Sequence, residues 1–201
     1  MLLCDIGNTS FHFLDGDKEY KNEVSTFDPA SLKEKVCYIC VNPNLTAVLK
    51  ELDNWIDLST SINKNNYYDT MGIDRIIACE AIENGIIVDA GSAVTVDIVK
   101  DSVFEGGFIY PGIKAMKDTY ENISSALKYE FNFALDLDKL PKNSQDAISY
   151  GYLKTLQQEV LSHKIQIYLT GGDAGEFISI FPSATLDNRL VFNGMKKYIK
   201  E

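Results

Sequence analysis

One short unit is written twice in this chain. Leu2 to Ile6 is an apolar run carrying Asp5, Gly7-Asn8-Thr9 breaks it, and Ser10 to Leu14 is a second run. From Ile86 to Val99 the pattern returns, with Asp89 and Gly91 standing where Asp5 and Gly7 stood. Short β-prone runs separated by a glycine-containing turn read as hairpins. A chain that builds the same strand, Asp-x-Gly, strand unit at two distant places is constrained to two related halves.

The segments between them fill out those halves. Val36 to Val41 reads as a strand, and Leu45, Val48, Leu49, Leu52 and Trp55 fall at helical spacing, predicting a covering helix over about 45–55 with Trp55 in the core. A polar stretch, Ser59 to Thr70, delivers Gly72-Ile73-Asp74-Arg75 to the front of another helix, with Asp74 at or near its N-cap. Gly106-Gly107 reads as a third glycine turn, and a helix follows over about 113–127. A linker leads to a long helix over 144–162. A strand over 165–169 ends in Thr170-Gly171-Gly172-Asp173, and a last short helix is expected over about 193–200. Sheet and helix alternate through both halves, which is an α/β pattern.

The repeated turn has chemical content. Glycine admits tight turns and close approach of a phosphate to backbone amides. An aspartate at a buried strand end is costly unless paired, hydrogen-bonded or beside a cation. Two such turns, with further glycine turns later, point to phosphate and cation chemistry, and Asn8, Thr9 and Ser92 add neutral hydrogen-bonding groups. The plain alternative is that Asp and Gly are simply good turn residues. Neither the GxxxxGK[ST] loop nor a GxGxxG after a strand is present, so any nucleotide is held by another design.

Composition excludes other classes. Nineteen basic against 29 acidic residues give a net charge of −10, which disfavours nucleic acid and anionic membrane as partners. Cys4, Cys37, Cys40 and Cys79 are too scattered for a disulfide framework and read as thiols in a reducing cytoplasm. With His12 and His163 the only histidines, there is no histidine metal centre or Ser-His-Asp triad. Asp97 reads either as a second acidic group of the site or as a strand-end charge, and Lys114 and Lys117 as solvated.

Asp5-Ile6-Gly7-Asn8-Thr9, Gly72-Ile73-Asp74-Arg75, the run from Asp89 to Asp97, Gly107 to Gly112, and Thr170-Gly171-Gly172-Asp173, taken in that order, resemble the type III pantothenate kinases. The resemblance implies a duplicated ribonuclease-H-like (actin-like ATPase) α/β fold of two half-domains, 1–84 and 85–201, with a cleft between them. It implies a cytoplasmic homodimer with the site near the subunit interface. The implied reaction is ATP-dependent phosphorylation of the 4′-hydroxyl of pantothenate, the first step toward coenzyme A. Mg2+ would accompany ATP, and a monovalent cation, K+ or NH4+, would also be required.

The same resemblance implies roles for residues. Asp5, Ile6, Gly7, Asn8, Thr9, Ser10, Phe11 and His12 would wrap the ATP phosphates, with Asp5 on the magnesium side. Gly72, Ile73, Asp74 and Arg75 would bind pantothenate, Asp74 as proton acceptor and Arg75 as anchor. Asp89 would hold the monovalent cation, Ser92 would contact ATP, and Gly171 and Gly172 would lie on the nucleoside side. Ser144 stands in Asn143-Ser144-Gln145-Asp146-Ala147 where a substrate-contacting threonine is usual. The run Tyr67-Tyr68-Asp69-Thr70-Met71-Gly72 lacks the usual proline, so Tyr68 is expected at the substrate with Tyr67 the alternative. The chain is also somewhat short for the family.

A primary alcohol is not ionised at neutral pH, so an aspartate such as Asp74 need only orient it and take its proton late in a loose transition state. Arg75 keeps its charge and suits a carboxylate bidentately. Three rivals stand beside this one: a different small-molecule kinase or ATPase of the same superfamily, a nucleotide-binding regulator without turnover, and a purely structural dimerisation module.

Overall fold

The computed structural model describes residues 1–199. Contacts divide the chain into two compact units, one formed by Met1–Ile82 with the chain from Arg189 onward, the other by Glu83–Asn188.

The first unit contains β1 (Leu2–Ile6), β2 (Ser10–Asp15), β3 (Lys18–Glu23), β4 (Val36–Cys40), α1 (Pro43–Lys50), β5 (Trp55–Asp57) and α2 (Ile73–Glu80). Its sheet has the order β3-β2-β1-β4-β5. The β1/β2 and β2/β3 pairs are antiparallel, while β1/β4 and β4/β5 are parallel. β1 and β4 are buried almost throughout, which is why they read as apolar runs and not as alternating ones. Phe11, Phe13 and Trp55 fill the core on one side of this sheet, with Phe27 edge-on to Phe11.

The second unit contains β6 (Gly85–Ala90), β7 (Ala93–Lys100), β8 (Val103–Pro111), α3 (Ile113–Ile123), α4 (Ser144–Ser162), β9 (Ile167–Thr170), α5 (Ala174–Phe177) and β10 (Thr185–Leu186). The sheet order is β10-β9-β6-β7-β8. Its β6/β7 and β7/β8 pairs are antiparallel, and β6/β9 and β9/β10 are parallel. Strand for strand this is the first sheet again, β6 taking the place of β1 and β9 that of β4. The fold is therefore a duplicated ribonuclease-H-like one.

A last helix, α6 (Leu190–Lys196), belongs to the first unit and packs on α2. Gly194 makes that contact close, since a Cβ there would strike the Ile77 carbonyl. A division at 84/85 places this segment with the second half, whereas it belongs to the first unit; the helix expected over about 193–200 starts at Leu190 and ends at Lys196, and Lys200 lies outside the described residues.

Other boundaries moved for identifiable reasons. The helix expected over 45–55 stops at Lys50, Asn54 then ties its side-chain amide to the carbonyls of Leu32 and Glu34, and Trp55 begins a strand, still buried. Gly106-Gly107 is no turn. Both residues lie within β8, where Gly106 takes a φ of +143° beside a register shift at Ile98/Val99, a bulge that glycine permits. Asp97 is not at a strand end but buried in the middle of β7, on the face that carries Thr95. Lys114 and Lys117 are exposed enough to pair only at the surface, with Asp118 and Glu130. Among the described residues no helix is long and apolar enough to cross a membrane.

Candidate active site

Asp5 is the penultimate residue of β1 and Asp89 the penultimate residue of β6. After each, the strand turns: the Gly7 amide donates to the Ser10 carbonyl at 3.0 Å, and the Gly91 amide to the Ala93 carbonyl at 2.9 Å. Those bonds close the turns. The amides of Asn8, Thr9 and Ser92, all on exposed residues, have no intramolecular acceptor among the described residues. Neither Gly7 nor Gly91 is demanded by packing: a Cβ would meet only the Ser10 oxygen at 3.7 Å or the Ala93 oxygen at 3.9 Å. A bare backbone with outward amides is what an anionic ligand can approach closely.

Other members of the first segment differ in what they can offer. Ile6 and Phe11 are fully buried, so only their backbone can face a ligand. The His12 ring sits 3.2 Å from a Glu19 carboxylate oxygen and edge-on to Phe192. Burial lowers the pKa of this imidazole.

The turn is held from behind. Asn42, buried after β4, caps α1 by accepting from the Asn44 amide at 3.0 Å and donates through its own amide to the Asn8 carbonyl at 3.4 Å. The Val41 amide donates to the Ile6 carbonyl at 3.0 Å, and the Val41 side chain lies beside Gly72. Val41 and Asn42 thus link the Gly7-Asn8-Thr9 turn to the Gly72 to Arg75 motif. Asn42 was missed by sequence reasoning. Its cap was legible from Asn-Pro at a helix start, but its second hydrogen bond was not.

In that motif Gly72 is the N-cap of α2 and Asp74 sits in its first turn, with Oδ1 accepting from the Arg75 amide at 2.8 Å. Gly72 is needed here, because a Cβ would lie 2.5 Å from Asp74 Oδ1. Burial raises the Asp74 pKa above the ordinary carboxylate value, and the Arg75 amide and guanidinium only partly offset it. Arg75 is itself buried, 6% exposed, and its Nη1 donates to the Tyr68 hydroxyl at 2.5 Å. Ile73 is buried and points to the core. The two tyrosines part company: Tyr68 goes to Arg75, and the Tyr67 hydroxyl donates to Glu80 at 2.7 Å.

On the second sheet Asp89 is directly opposite Thr95 on β7 and beside Thr170 on β9. Paired residues of neighbouring strands share a face. Thr95 Oγ1 is buried without a hydrogen-bond partner, so an uncompensated hydroxyl oxygen lies on the sheet face that carries the Asp89 carboxylate, donor types that suit a hard cation. The loop after β9 closes on the turn: the Asp173 amide donates to the Ala90 carbonyl at 2.9 Å, and Gly171, with φ +94°, leaves no room for a Cβ against Ala90 and Asp89. The Gly112 amide donates to the Ser92 carbonyl at 3.1 Å. Gly172 is open. Beside Asp173 lies a pocket of about 250 Å3 lined by Ile113, Lys117, Phe131 and Phe133 among others.

Ser144 is the exposed first residue of α4. Asn143 caps this helix by accepting from the Asp146 amide, and Asp146 in turn accepts from the side-chain amides of Asn143 and Asn132. The described contacts of the second unit gather Asp89, Ser92 and Gly171. They do not bring Ser144 to them.

A model of the family described as type III pantothenate kinase matches residues 49–163. A type III pantothenate kinase of Sulfurimonas denitrificans is 59% identical over 201 residues, covering 100% of this chain and 98% of its own. A solved structure from Campylobacter jejuni, named for the Baf family of transcriptional activators, superposes with a TM-score of 0.90 at 42% identity, covering 99% of this chain and 97% of that one. A Sinorhizobium meliloti structure named as a 2-dehydro-3-deoxygalactonokinase has a TM-score of 0.57 at 11% identity, covering 98% and 95%, and shows the shared fold alone. With identity running the length of the chain and the family match spanning Gly72 to Arg75, the protein belongs to the type III pantothenate kinase family.

Proposed function

We propose that the protein transfers the γ-phosphoryl group of ATP to the 4′-hydroxyl of pantothenate, giving 4′-phosphopantothenate and ADP, the first step of coenzyme A biosynthesis, in the cytoplasm. The observation that carries this is the Asp74–Arg75 pair: a carboxylate whose basicity burial has raised, beside a buried guanidinium held by Tyr68. The family match spans both residues.

Asp74 accepts the hydroxyl proton as the new oxygen–phosphorus bond forms and the bond to the bridging oxygen breaks, leaving ADP. Burial makes its carboxylate a better base than an exposed one, and the Arg75 amide fixes its direction. Arg75 holds the carboxylate of pantothenate, with the Tyr68 hydroxyl at its side. The outward amides of Asn8, Thr9 and Ser92 meet phosphate oxygens, where preorganised donors stabilise charge developing in the transition state. Gly171 and Gly172 border the nucleoside, and Ser144 offers its hydroxyl to substrate.

Asp5 would lie on the side of the Mg2+ that accompanies ATP, and that ion would supply positive charge to the phosphates. Asp89 and the orphaned Thr95 hydroxyl fit a monovalent cation, which when bound supplies positive charge near the phosphates. The active form is a homodimer. Supporting this, α3 buries none of its residues, and Ile109 on β8 and Ile123 on α3 are 59% and 67% exposed.

The test is phosphorylation of pantothenate by the purified protein with ATP and Mg2+, with and without K+, beside Asp74→Asn. Product that requires K+ and is nearly lost in the variant is expected. Folded, ATP-binding protein that makes no product with any cation would overturn the assignment in favour of another substrate.

A further inference from the structure

We propose that Glu80 is a positioning residue for the pantothenate end of the site, acting through Tyr67 and Tyr198. This rests on the assignment of Arg75 and Tyr68 to pantothenate.

Glu80 is the last residue of α2, the helix whose first turn carries Asp74 and Arg75. Both of its carboxylate oxygens are engaged: Oε1 accepts from the Tyr67 hydroxyl at 2.7 Å and Oε2 from the Tyr198 hydroxyl at 2.9 Å. Its backbone carbonyl accepts from Lys197 Nζ at 2.5 Å. Phenol-to-carboxylate bonds of this kind are charge-assisted and stronger than neutral ones. Burial together with the Glu80 charge pushes the Tyr198 hydroxyl up to about 12, so it stays a donor at any working pH.

The anchored segment is otherwise solvent-facing. Of residues 63–70 every one is exposed except Tyr67, which is partly buried. Tyr67 is therefore the peg of an otherwise solvated loop, and its neighbour Tyr68 is the residue that meets Arg75 at 2.5 Å. Releasing Tyr67 would let the backbone that carries Tyr68 shift, and with it the hydroxyl and ring that face the Arg75 guanidinium. None of the three clamp residues need touch the reacting atoms. Their effect falls on how well the anchor is aimed.

Steady-state kinetics of Tyr67→Phe, Glu80→Gln and Tyr198→Phe, with Arg75→Lys as reference and a melting curve for each, tests this. Each tyrosine variant keeps its ring and loses only the hydroxyl. The KM for pantothenate is expected to rise roughly five- to twentyfold in Tyr67→Phe and Glu80→Gln, the scale of one charge-assisted hydrogen bond, and less in Tyr198→Phe. The kcat and the KM for ATP should stay within about twofold, the pattern of lost substrate positioning. If Arg75→Lys raises the pantothenate KM while the clamp variants do not, or if they only lower kcat together with Tm, the positioning role is overturned and the pantothenate assignment survives. If Arg75→Lys is also without effect on that KM, the assignment itself fails and takes the proposal with it.

Discussion

Gly171 passes so close to Asp89 that a single methyl group would not fit between its Cα and the Asp89 carboxylate. The same methyl would collide with the Ala90 carbonyl, and the φ of +94° is one that residues with a Cβ rarely adopt. Gly171→Ala is therefore expected to cost at least ~2 kcal/mol of stability and to impair any ligand held by Asp89. Urea unfolding measures the first and K+ activation the second. An unchanged unfolding midpoint would show that the loop after β9 is not closed on the turn.

Gly72→Ala should behave differently. What its methyl meets is the free end of the Asp74 side chain, not backbone. The fold can yield by moving that carboxylate, so Tm should change by only about 2 °C, while kcat drops roughly 10- to 100-fold because a base misplaced by about an ångström loses most of its advantage. Parallel melting and turnover measurements separate the two.

Asp74 places catalysis against stability. Its pKa in the fold is raised, chiefly by burial. Between the ordinary carboxylate value and the raised one, the folded chain holds a proton that the unfolded chain has released, so stability falls as pH rises through that window and the penalty is complete above it. Asp74→Asn keeps an acceptor for the Arg75 amide and removes the penalty. At pH 7 the variant should melt higher than the parent, with the difference vanishing below the ordinary carboxylate range, and kcat should fall about 100-fold or more. A variant that melts lower at pH 7 would refute the burial argument.

Thr95→Val removes a buried hydroxyl that has no partner. Without monovalent cation the variant should be more stable by about 1 kcal/mol, and the K+ concentration for half-maximal activity should rise several-fold. An unchanged K+ dependence would move the cation away from Thr95.

Much of this was legible in the chain. The repeated Asp-x-Gly unit gave the duplication, because a turn that reverses a buried strand leaves a local signature, and the long helix expected over 144–162 is α4 with the same bounds. The Gly72 to Arg75 motif announced the helix it begins. What could not be read was non-local. Asn42 reaching Asn8 and Glu80 reaching Tyr198 depend on where sheets and helices bring distant residues. Gly106-Gly107 misled because glycine serves a bulge as well as a turn, and only the pairing partner across the sheet decides which.

The placement of α6 has a consequence for synthesis. The second unit, Glu83–Asn188, is a continuous stretch interrupting the first, and α6 is made after all of it. On the ribosome the middle of the chain can complete its sheet and core while the first unit still lacks the helix that packs on α2, where Gly194 meets Ile77. The part translated first is the part finished last.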